Sequence, residues 1–221
     1  MNVVDELQTL PKWTQSAGEE LANAISHGIG LVAALIAAPT LLLAAFERGS
    51  ASFFIGTIVF AVTMLLLYLG STLYHAWPRT RGKSFLQVFD HSAIFLLIAG
   101  TYTPFGLGPL RGAGGLTMLA AVWALAIFGV LMKVTRGTSR HRKLAMSLYL
   151  GMGWLIPIAN HPVALAIPFS AMIWLLAGGI AYTVGVIFFV NERVHYSHFV
   201  WHLFVLAGTS CHFLAVLSCA G

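Results

Sequence analysis

The segment FVWHLFVLAGTSCHFLAVLSCA, from Phe199 to Ala220, decides the fold class of this chain. It is long enough to cross a bilayer, because a transmembrane helix needs about 20 predominantly apolar residues. His198 and His202 stand at its start with helical spacing, so both side chains share one face. Ionisable groups within a membrane span are energetically costly and therefore indicate a functional site.

Six further apolar segments precede this one. The chain has 221 residues, of which 58% are hydrophobic and only 9% are charged. The segments predict seven membrane-spanning helices, over residues 21–46, 52–76, 89–109, 113–133, 143–160, 169–190 and 199–220. The fifth is the weakest, because it is short and interrupted by Pro157. We therefore expect an all-α, polytopic bundle of seven transmembrane helices over residues 20–221, after a cytoplasmic N-terminal tail over residues 1–19.

The basic residues predict the orientation of this bundle. With seven spans, the side of the membrane that holds the N-terminal tail carries most of the 12 Lys and Arg residues, namely Lys12, Arg79, Arg81, Lys83, Lys133, Arg136, Arg140, Arg142, Lys143 and Arg193. The other side carries only Arg48 and Arg111. Because positively charged loops stay in the cytoplasm, we expect a cytoplasmic N-terminus and an external C-terminus in the cell membrane. The basic residues are scattered over short loops, so no nucleic-acid partner is expected.

Four polar side chains stand at helix ends that face the same side. His75 lies in the last turn of the second span, Asp90 opens the third, and His198 and His202 open the seventh. Successive spans run in opposite directions, so all four belong at the cytoplasmic ends of their helices and at similar depth. We expect these side chains to meet inside the bundle.

The chemistry of this set suits zinc. Catalytic zinc sites keep three protein ligands and a water molecule, and His75, His198 and His202 would be the three ligands. Asp90 would either bind the ion directly or hold the water as a general base. Ser71, one turn before His75, would steady that water or Asp90, and Tyr68 extends the same polar stripe by a further turn.

Other polar positions leave alternatives open. Glu20, Asn23 and His27 share one face at the cytoplasmic end of the first span. They would form a second shell or a substrate gate around the metal site, or simply the polar entry face of the helix. His91 is turned about 100° from Asp90, so we expect it to face elsewhere. His212 lies about 15 Å deeper than His202, too far to bind the same ion, and would line a cavity or pair with a buried polar group.

Several ordered motifs carry a family resemblance. They are Glu19-Glu20-x-x-Asn23 with Ser26-His27-Gly28-Ile29-Gly30, Ser71-Thr72-Leu73-Tyr74-His75, Phe89-Asp90-His91, Ala99-Gly100-Thr101-Tyr102-Thr103-Pro104-Phe105, His198-x-x-x-His202 and Cys211-His212-Phe213. With these motifs the sequence resembles the hemolysin III branch of the progestin and adiponectin receptor (PAQR) family over nearly the whole chain after residue 18.

The resemblance implies a seven-helix bundle with a cytoplasmic N-terminus. It also implies a zinc ion held by His75, His198 and His202, with Asp90 and Ser71 close by through water. The wider superfamily includes alkaline ceramidases, which implies metal-assisted hydrolysis of a lipid amide. Some bacterial-type members are named hemolysins for cytolytic activity, and others are linked to membrane homeostasis.

Three functions follow as expectations. The first is an integral membrane zinc protein that hydrolyses an amide or ester bond of a lipid, with membrane lipids as partners and a lipid substrate inside the bundle. The second is a sensor or receptor-like protein in membrane homeostasis, in which zinc only clamps the helices together. The third is a pore-forming cytolysin, which is the least favoured because the fourth and sixth spans lack the polar stripe of a channel.

Overall fold

Helices make up nearly all of the part of the chain that the structure describes. The computed structural model describes residues 15–112, 114–138, 141–157, 166–191 and 194–220. Within these residues the helices are α1 (Ala17–Glu47), α2 (Ala51–Ala76), α3 (Arg81–Leu107), α4 (Gly115–Arg136), α5 (Arg142–Gly153), α6 (Phe169–Val190) and α7 (Ser197–Ser218). All except α5 are long and apolar enough to cross a membrane, which gives six candidate spans. The chain is thus an all-α, polytopic membrane protein.

The helices pack as an arc closed by the short helix α5. Along the arc, the packed neighbours are α4 with α3, α3 with α2, α2 with α1, α1 with α7, and α7 with α6. Helix α5 packs against α3 and α4, and α3 also touches α7. Helix α3 therefore lies at the centre, in contact with four of the other helices.

Helix α1 shows how the exterior and interior are divided. Its buried positions include Glu20 and Asn23, whereas Ile29 and Ile36 are exposed to 63% and 69%. Polar residues inside and apolar residues outside are the reverse of what water favours, but they suit a helix whose outer face contacts lipid. The exposed apolar side chains of α1 agree with its assignment as a membrane span.

The start of α1 is defined by a capping box. The Ser16 hydroxyl accepts a hydrogen bond from the Glu19 amide at 3.2 Å, and the Glu19 carboxylate accepts one from the Ser16 amide at 2.8 Å. This reciprocal pair satisfies two backbone donors that no helical carbonyl can reach. The helix begins at Ala17, within the expected tail, and residues 1–14 of that tail lie outside the described part of the chain.

Helix α5 covers only part of the fifth expected span. It ends at Gly153, and residues 158–160 of the expected segment 143–160 lie outside the described residues. Its 12 residues extend about 18 Å at 1.5 Å per residue, short of the roughly 30 Å hydrocarbon core. The Tyr102 hydroxyl of α3 meets its end, donating to the Met152 carbonyl at 2.6 Å and accepting from the Ile156 amide at 3.1 Å. Tyr102 thereby pairs the Ile156 amide beyond the end of the helix and adds a second partner to the Met152 carbonyl, which also accepts from the Leu155 amide at 3.3 Å.

Helices α2 and α3 form a closely packed antiparallel pair. Gly56 lies against Pro104, Thr63 against Gly100, and Phe89 against Gly70. A Cβ atom on Gly56 would lie 2.7 Å from Pro104 Cα and 2.9 Å from the Thr103 carbonyl oxygen. These are backbone atoms that no side-chain rotation can move, so the absence of a side chain at Gly56 sets the distance between the two helices.

We predict that Gly56→Ala destabilises the protein by about 1–3 kcal/mol, the usual cost of overpacking, because its methyl group collides with the α3 backbone. The measurement is the thermal unfolding midpoint of the purified protein in detergent. Gly151→Ala is the matched control, since Gly151 also lies in a helix but no atom lies within 4 Å of the position that an added Cβ would take. Equal midpoints for Gly56→Ala and the wild-type protein would contradict the close approach of α2 and α3.

Candidate metal centre

Four helix ends meet at one end of the bundle, and direct polar contacts join them. Glu19 in the first turn of α1 accepts a hydrogen bond from the Tyr196 amide, just before α7, at 2.9 Å. Arg79, between α2 and α3, donates to the Gln15 carbonyl before α1 at 2.6 Å. The starts of α1, α3 and α7 and the end of α2 therefore lie together, as the alternation of spans predicts.

Three histidines converge just inside this end. One ring nitrogen from each of His75, His198 and His202 lies within 4.8 Å of the others. Ligands of a tetrahedral zinc ion at about 2.1 Å lie about 3.4 Å apart, so side-chain shifts of about an ångström would seat a metal ion. Among the described residues these three form the group of His, Cys, Asp and Glu side chains whose geometry could hold a metal.

His75 is oriented by a carboxylate on α1. Its Nδ1 lies 2.8 Å from Glu20 Oε2, and the side chains of both residues are buried. A carboxylate accepts hydrogen bonds, so this contact places the ring proton on Nδ1 and leaves a lone pair on Nε2. His75 Nε2 is buried and has no hydrogen-bond partner, so it is available to a metal ion.

His202 is oriented by the backbone of α1. Its Nδ1 lies 3.3 Å from the Asn23 carbonyl oxygen and 3.2 Å from the Ser26 hydroxyl, which itself donates to the same carbonyl at 2.9 Å. A carbonyl oxygen only accepts, so Nδ1 carries the proton and Nε2 again keeps its lone pair. Two of the three histidines thus share the tautomer that binds metal through Nε2.

Asp90 and Ser71 lie beside the histidine cluster. Both line an internal cavity that also reaches His198 and His202. Asp90 is buried, and the Ser71 hydroxyl is buried without a hydrogen-bond partner. The structure thus brings the sequence-predicted carboxylate and hydroxyl to the same cavity as two of the predicted metal ligands.

The remaining predicted residues surround the cluster. The His27 ring stacks on His202, with centroids 3.6 Å apart and an interplanar angle of 11°, and its two ring nitrogens are buried without partners. Tyr68 meets the edge of His27 at a centroid distance of 5.3 Å. Glu20, Asn23 and His27 are all buried: the first two lie within hydrogen-bond distance of His75, and His27 stacks on His202.

The cavity extends from the histidine cluster towards the opposite end of the bundle. Most of its wall is apolar or aromatic, and α3, α5, α6 and α7 supply most of it. His212 lines it, and nearby the Tyr182 hydroxyl lies 2.7 Å from the Thr209 hydroxyl. Asp90, His198 and His202 lie at one end of this mostly apolar space, an arrangement that suits a ligand with a long apolar chain and a polar head.

Two features differ from the expectations drawn from the sequence. His91 lines the cavity rather than facing elsewhere, because the cavity is wide enough to take side chains from adjacent positions of α3. Lys83, expected in a loop, lies in the first turn of α3 and is only 1% exposed, with Nζ 3.0 Å from Glu20 Oε2. A sequence signal for the burial of Lys83 is its spacing of seven residues from Asp90. This spacing places both residues on one helix face if the helix begins before residue 83.

Comparison with known proteins identifies the family. The family model described as Haemolysin-III related matches residues 15–213. The chain belongs to this haemolysin III-related family. It is 44% identical to the Hemolysin-3 homolog of Bacillus subtilis (strain 168), over 90% of this chain and 93% of that protein, and 44% identical to Hemolysin-3 of Bacillus cereus, over 95% of each.

More distant similarity reaches the receptor-like relatives. The chain is 28% identical to the Heptahelical transmembrane protein ADIPOR2 of Oryza sativa subsp. japonica, over 72% of this chain and 78% of that protein. No solved structure matches the chain. The six apolar helices and the family membership together show that this haemolysin III-related protein is an integral, multi-pass protein of the cell membrane.

Proposed function

We propose that this haemolysin III-related protein is a zinc-dependent hydrolase that cleaves an amide or ester bond of a membrane lipid. The observation that carries the proposal is the cluster of His75, His198 and His202, whose ligand atoms lie within 4.8 Å of one another. Imidazole nitrogen is a preferred zinc ligand, and three histidines leave the fourth tetrahedral position open for water or substrate.

The residues present fit such an ion. His75 Nε2 is a buried nitrogen without a partner, which costs free energy unless something binds it. The Nδ1 atoms of His75 and His202 are each held by α1, so the rings are oriented before any ion arrives. When bound, zinc would act as a Lewis acid towards a carbonyl group and make a water molecule more acidic.

The protein's own groups would perform the rest of the reaction. Asp90 would accept the proton of the attacking water and return it to the leaving amine or alcohol, as a general base and then a general acid. The unpartnered Ser71 hydroxyl would hold that water or the Asp90 carboxylate in place. The mostly apolar cavity would bind the acyl chain and exclude bulk water from the scissile bond.

A second function is supported by the position of the histidines. His75 belongs to α2 and the other two ligands belong to α7, and both helices pack against α1. A metal ion would therefore join α2 to α7 and stabilise the bundle. In this alternative the protein is a zinc-stabilised sensor or receptor-like protein in membrane homeostasis, and Asp90 performs no chemistry.

We further propose that the chain crosses the membrane seven times, with the N-terminus in the cytoplasm. Arg142, at the start of α5, donates a hydrogen bond to the Phe189 carbonyl near the end of α6 at 2.9 Å. The start of α5 thus lies at the end of the bundle opposite to Phe169, where α6 begins. This geometry supports a fifth crossing between residues 142 and 169, of which α5 forms the first part, and the rice relative is itself named heptahelical.

The topology predicts opposite results for fusions at two positions. A green fluorescent protein fused after residue 138 should fluoresce and alkaline phosphatase there should be inactive, because basic loops stay in the cytoplasm. Fusions after residue 220 should show the reverse. Cytoplasmic signals at both positions would mean an even number of crossings between residues 138 and 220, and would rule out seven crossings in total.

We predict that Asp90→Asn abolishes hydrolysis and leaves most of the zinc bound, because the amide cannot accept the proton while the three histidines remain. The measurements are zinc content, thermal midpoint and fatty-acid release from a panel of ceramides and phospholipids. Ser92→Ala is the matched control, since its buried hydroxyl also lacks a partner in α3. Ser92→Ala should retain zinc and activity.

The same data separate the two functions. A wild-type protein with full zinc and no activity on any lipid, together with an Asp90→Asn variant that loses zinc and stability in parallel, would exclude the hydrolase. That outcome would favour the zinc-stabilised sensor, in which metal binding contributes folding free energy.

A further inference from the structure

Lys83 is a buried cation surrounded by oxygen atoms from two other helices. Its Nζ lies 3.0 Å from Glu20 Oε2 of α1, 2.9 Å from the Tyr74 carbonyl and 3.3 Å from the Trp77 carbonyl. It also lies over the Tyr74 ring, 4.8 Å from the centroid. A lysine is almost never this deeply buried unless it is paired, and these partners compensate its charge.

Two of these contacts cap the end of α2. Tyr74 belongs to the last turn of that helix and Trp77 is its C-cap residue, so no helical amide reaches their carbonyl oxygens. A lysine ammonium at a helix C-terminus satisfies such carbonyls and also interacts favourably with the helix dipole. His75 lies in the same last turn, so Lys83 fixes the backbone that carries this ligand.

The third contact, with Glu20, links Lys83 to the His75 ring through a shared carboxylate oxygen. One carboxylate oxygen, Glu20 Oε2, lies 3.0 Å from Lys83 Nζ and 2.8 Å from His75 Nδ1. Lys83 and the imidazole therefore both donate to the same atom. The ammonium holds this oxygen in place, and the oxygen fixes the ring orientation and the Nδ1–H tautomer of His75. The partner-free Nε2 of His75 follows from that arrangement.

We propose that Glu20 and Lys83 form a buried positioning pair that prepares His75 to bind the metal ion. The inference rests on the metal site of the proposed function but not on the lipid chemistry. Neither residue needs to touch the ion: Glu20 acts through the imidazole, and Lys83 acts through Glu20 and through the end of α2. Residues that hold a metal-binding histidine in this way typically change metal affinity 10- to 100-fold when mutated.

A purely structural ion pair would behave differently. Replacing a buried ion pair with apolar or neutral residues of similar volume often leaves stability unchanged, whereas removing one partner leaves an uncompensated buried charge. The double variant Glu20→Gln with Lys83→Met therefore separates the two roles, because it removes both charges at once. If the pair only stabilises the fold, this variant retains its metal affinity wherever it is folded, even if its thermal midpoint falls.

The experiment is a titration of metal-free, detergent-solubilised full-length protein with Co²⁺, followed by its visible absorption, and with Zn²⁺ in competition. We expect the double variant to bind Co²⁺ about 10- to 100-fold more weakly than the wild-type protein, measured at a temperature at which both apo proteins are folded. Lys83→Arg should retain most of the affinity. Arg81→Met, which removes an exposed charge in the same first turn of α3, is the control and should bind as the wild-type protein does.

A second comparison tests whether the two residues act as one unit. The loss of affinity in the double variant should be smaller than the product of the losses in Glu20→Gln and Lys83→Met alone, because part of the effect of Lys83 on the imidazole passes through Glu20. If the double variant does not fold, Glu20→Asp is the substitute: it keeps the charge pair but withdraws the oxygen from His75, and should also weaken Co²⁺ binding.

The outcomes are distinct. Wild-type affinity in the folded double variant, or in Glu20→Asp if that substitute is needed, would overturn the positioning role while leaving the metal site intact. Failure of the wild-type protein to bind Co²⁺ or Zn²⁺ would overturn the metal site, and the positioning role with it.

Discussion

Polar groups inside a bilayer have to find partners within the protein, because no water reaches them there. In this chain that constraint acts most strongly at one end of the bundle, where Glu20 Oε2 joins α1 to the end of α2 and the start of α3. The opposite charges of Glu20 and Lys83 and the Nδ1 proton of His75 satisfy one another. The geometry of the candidate metal ligands depends on this contact, because the Glu20 carboxylate binds Nδ1 of His75 and leaves Nε2 for the cluster.

The same constraint explains the short helix α5. Its end is buried, with Met152 and Ile156 each 1% exposed, and buried carbonyl and amide groups without a partner cost free energy. The single hydroxyl of Tyr102 contacts two carbonyls and one amide of residues 152–156, so the irregular backbone is satisfied from α3. Gly153 and Trp154, at the end of α5, also line the cavity. This end therefore helps to shape the space proposed for the lipid.

Against this background of satisfied groups, the unsatisfied ones are informative. Six buried side-chain atoms have no partner among the described residues: Asn23 Oδ1, both ring nitrogens of His27, Ser71 Oγ, His75 Nε2 and Ser92 Oγ. Each such group costs about 1–3 kcal/mol, and native proteins retain few of them. Except for Ser92 Oγ, they belong to side chains at or beside the histidine cluster. Their position fits the proposed site for an ion, a water molecule and a substrate.

The sequence predicts much of this arrangement because periodicity and alternation of spans are strong constraints. They place His75, Asp90, His198 and His202 at one end of the bundle, and helical spacing alone brings Glu20, Asn23 and His27 to one face. Both expectations agree with the geometry. The hydrolase, the zinc ion and the seven crossings remain proposals, since they depend on chemistry and a membrane outside the chain itself.

What the sequence does not predict follows from local departures from these patterns. Helix α3 begins at Arg81, well before the apolar run at residue 89, so Lys83 reads as a solvated loop residue although it is buried. The tertiary partner Glu20 is 63 positions away and gives no local signal. Similarly, the end of α5 is hydrogen-bonded to Tyr102 in another helix, and hydropathy does not predict that hydrogen bond.

The most direct test of the central claim is zinc K-edge X-ray absorption of the protein purified without added metal, together with its metal content. We expect about one zinc ion per chain, with three imidazole nitrogens and one oxygen at about 2.0–2.1 Å. A His75→Ala, His198→Ala, His202→Ala triple variant should carry almost none. A wild-type protein without stoichiometric zinc, or a triple variant with wild-type zinc content, would contradict the metal centre.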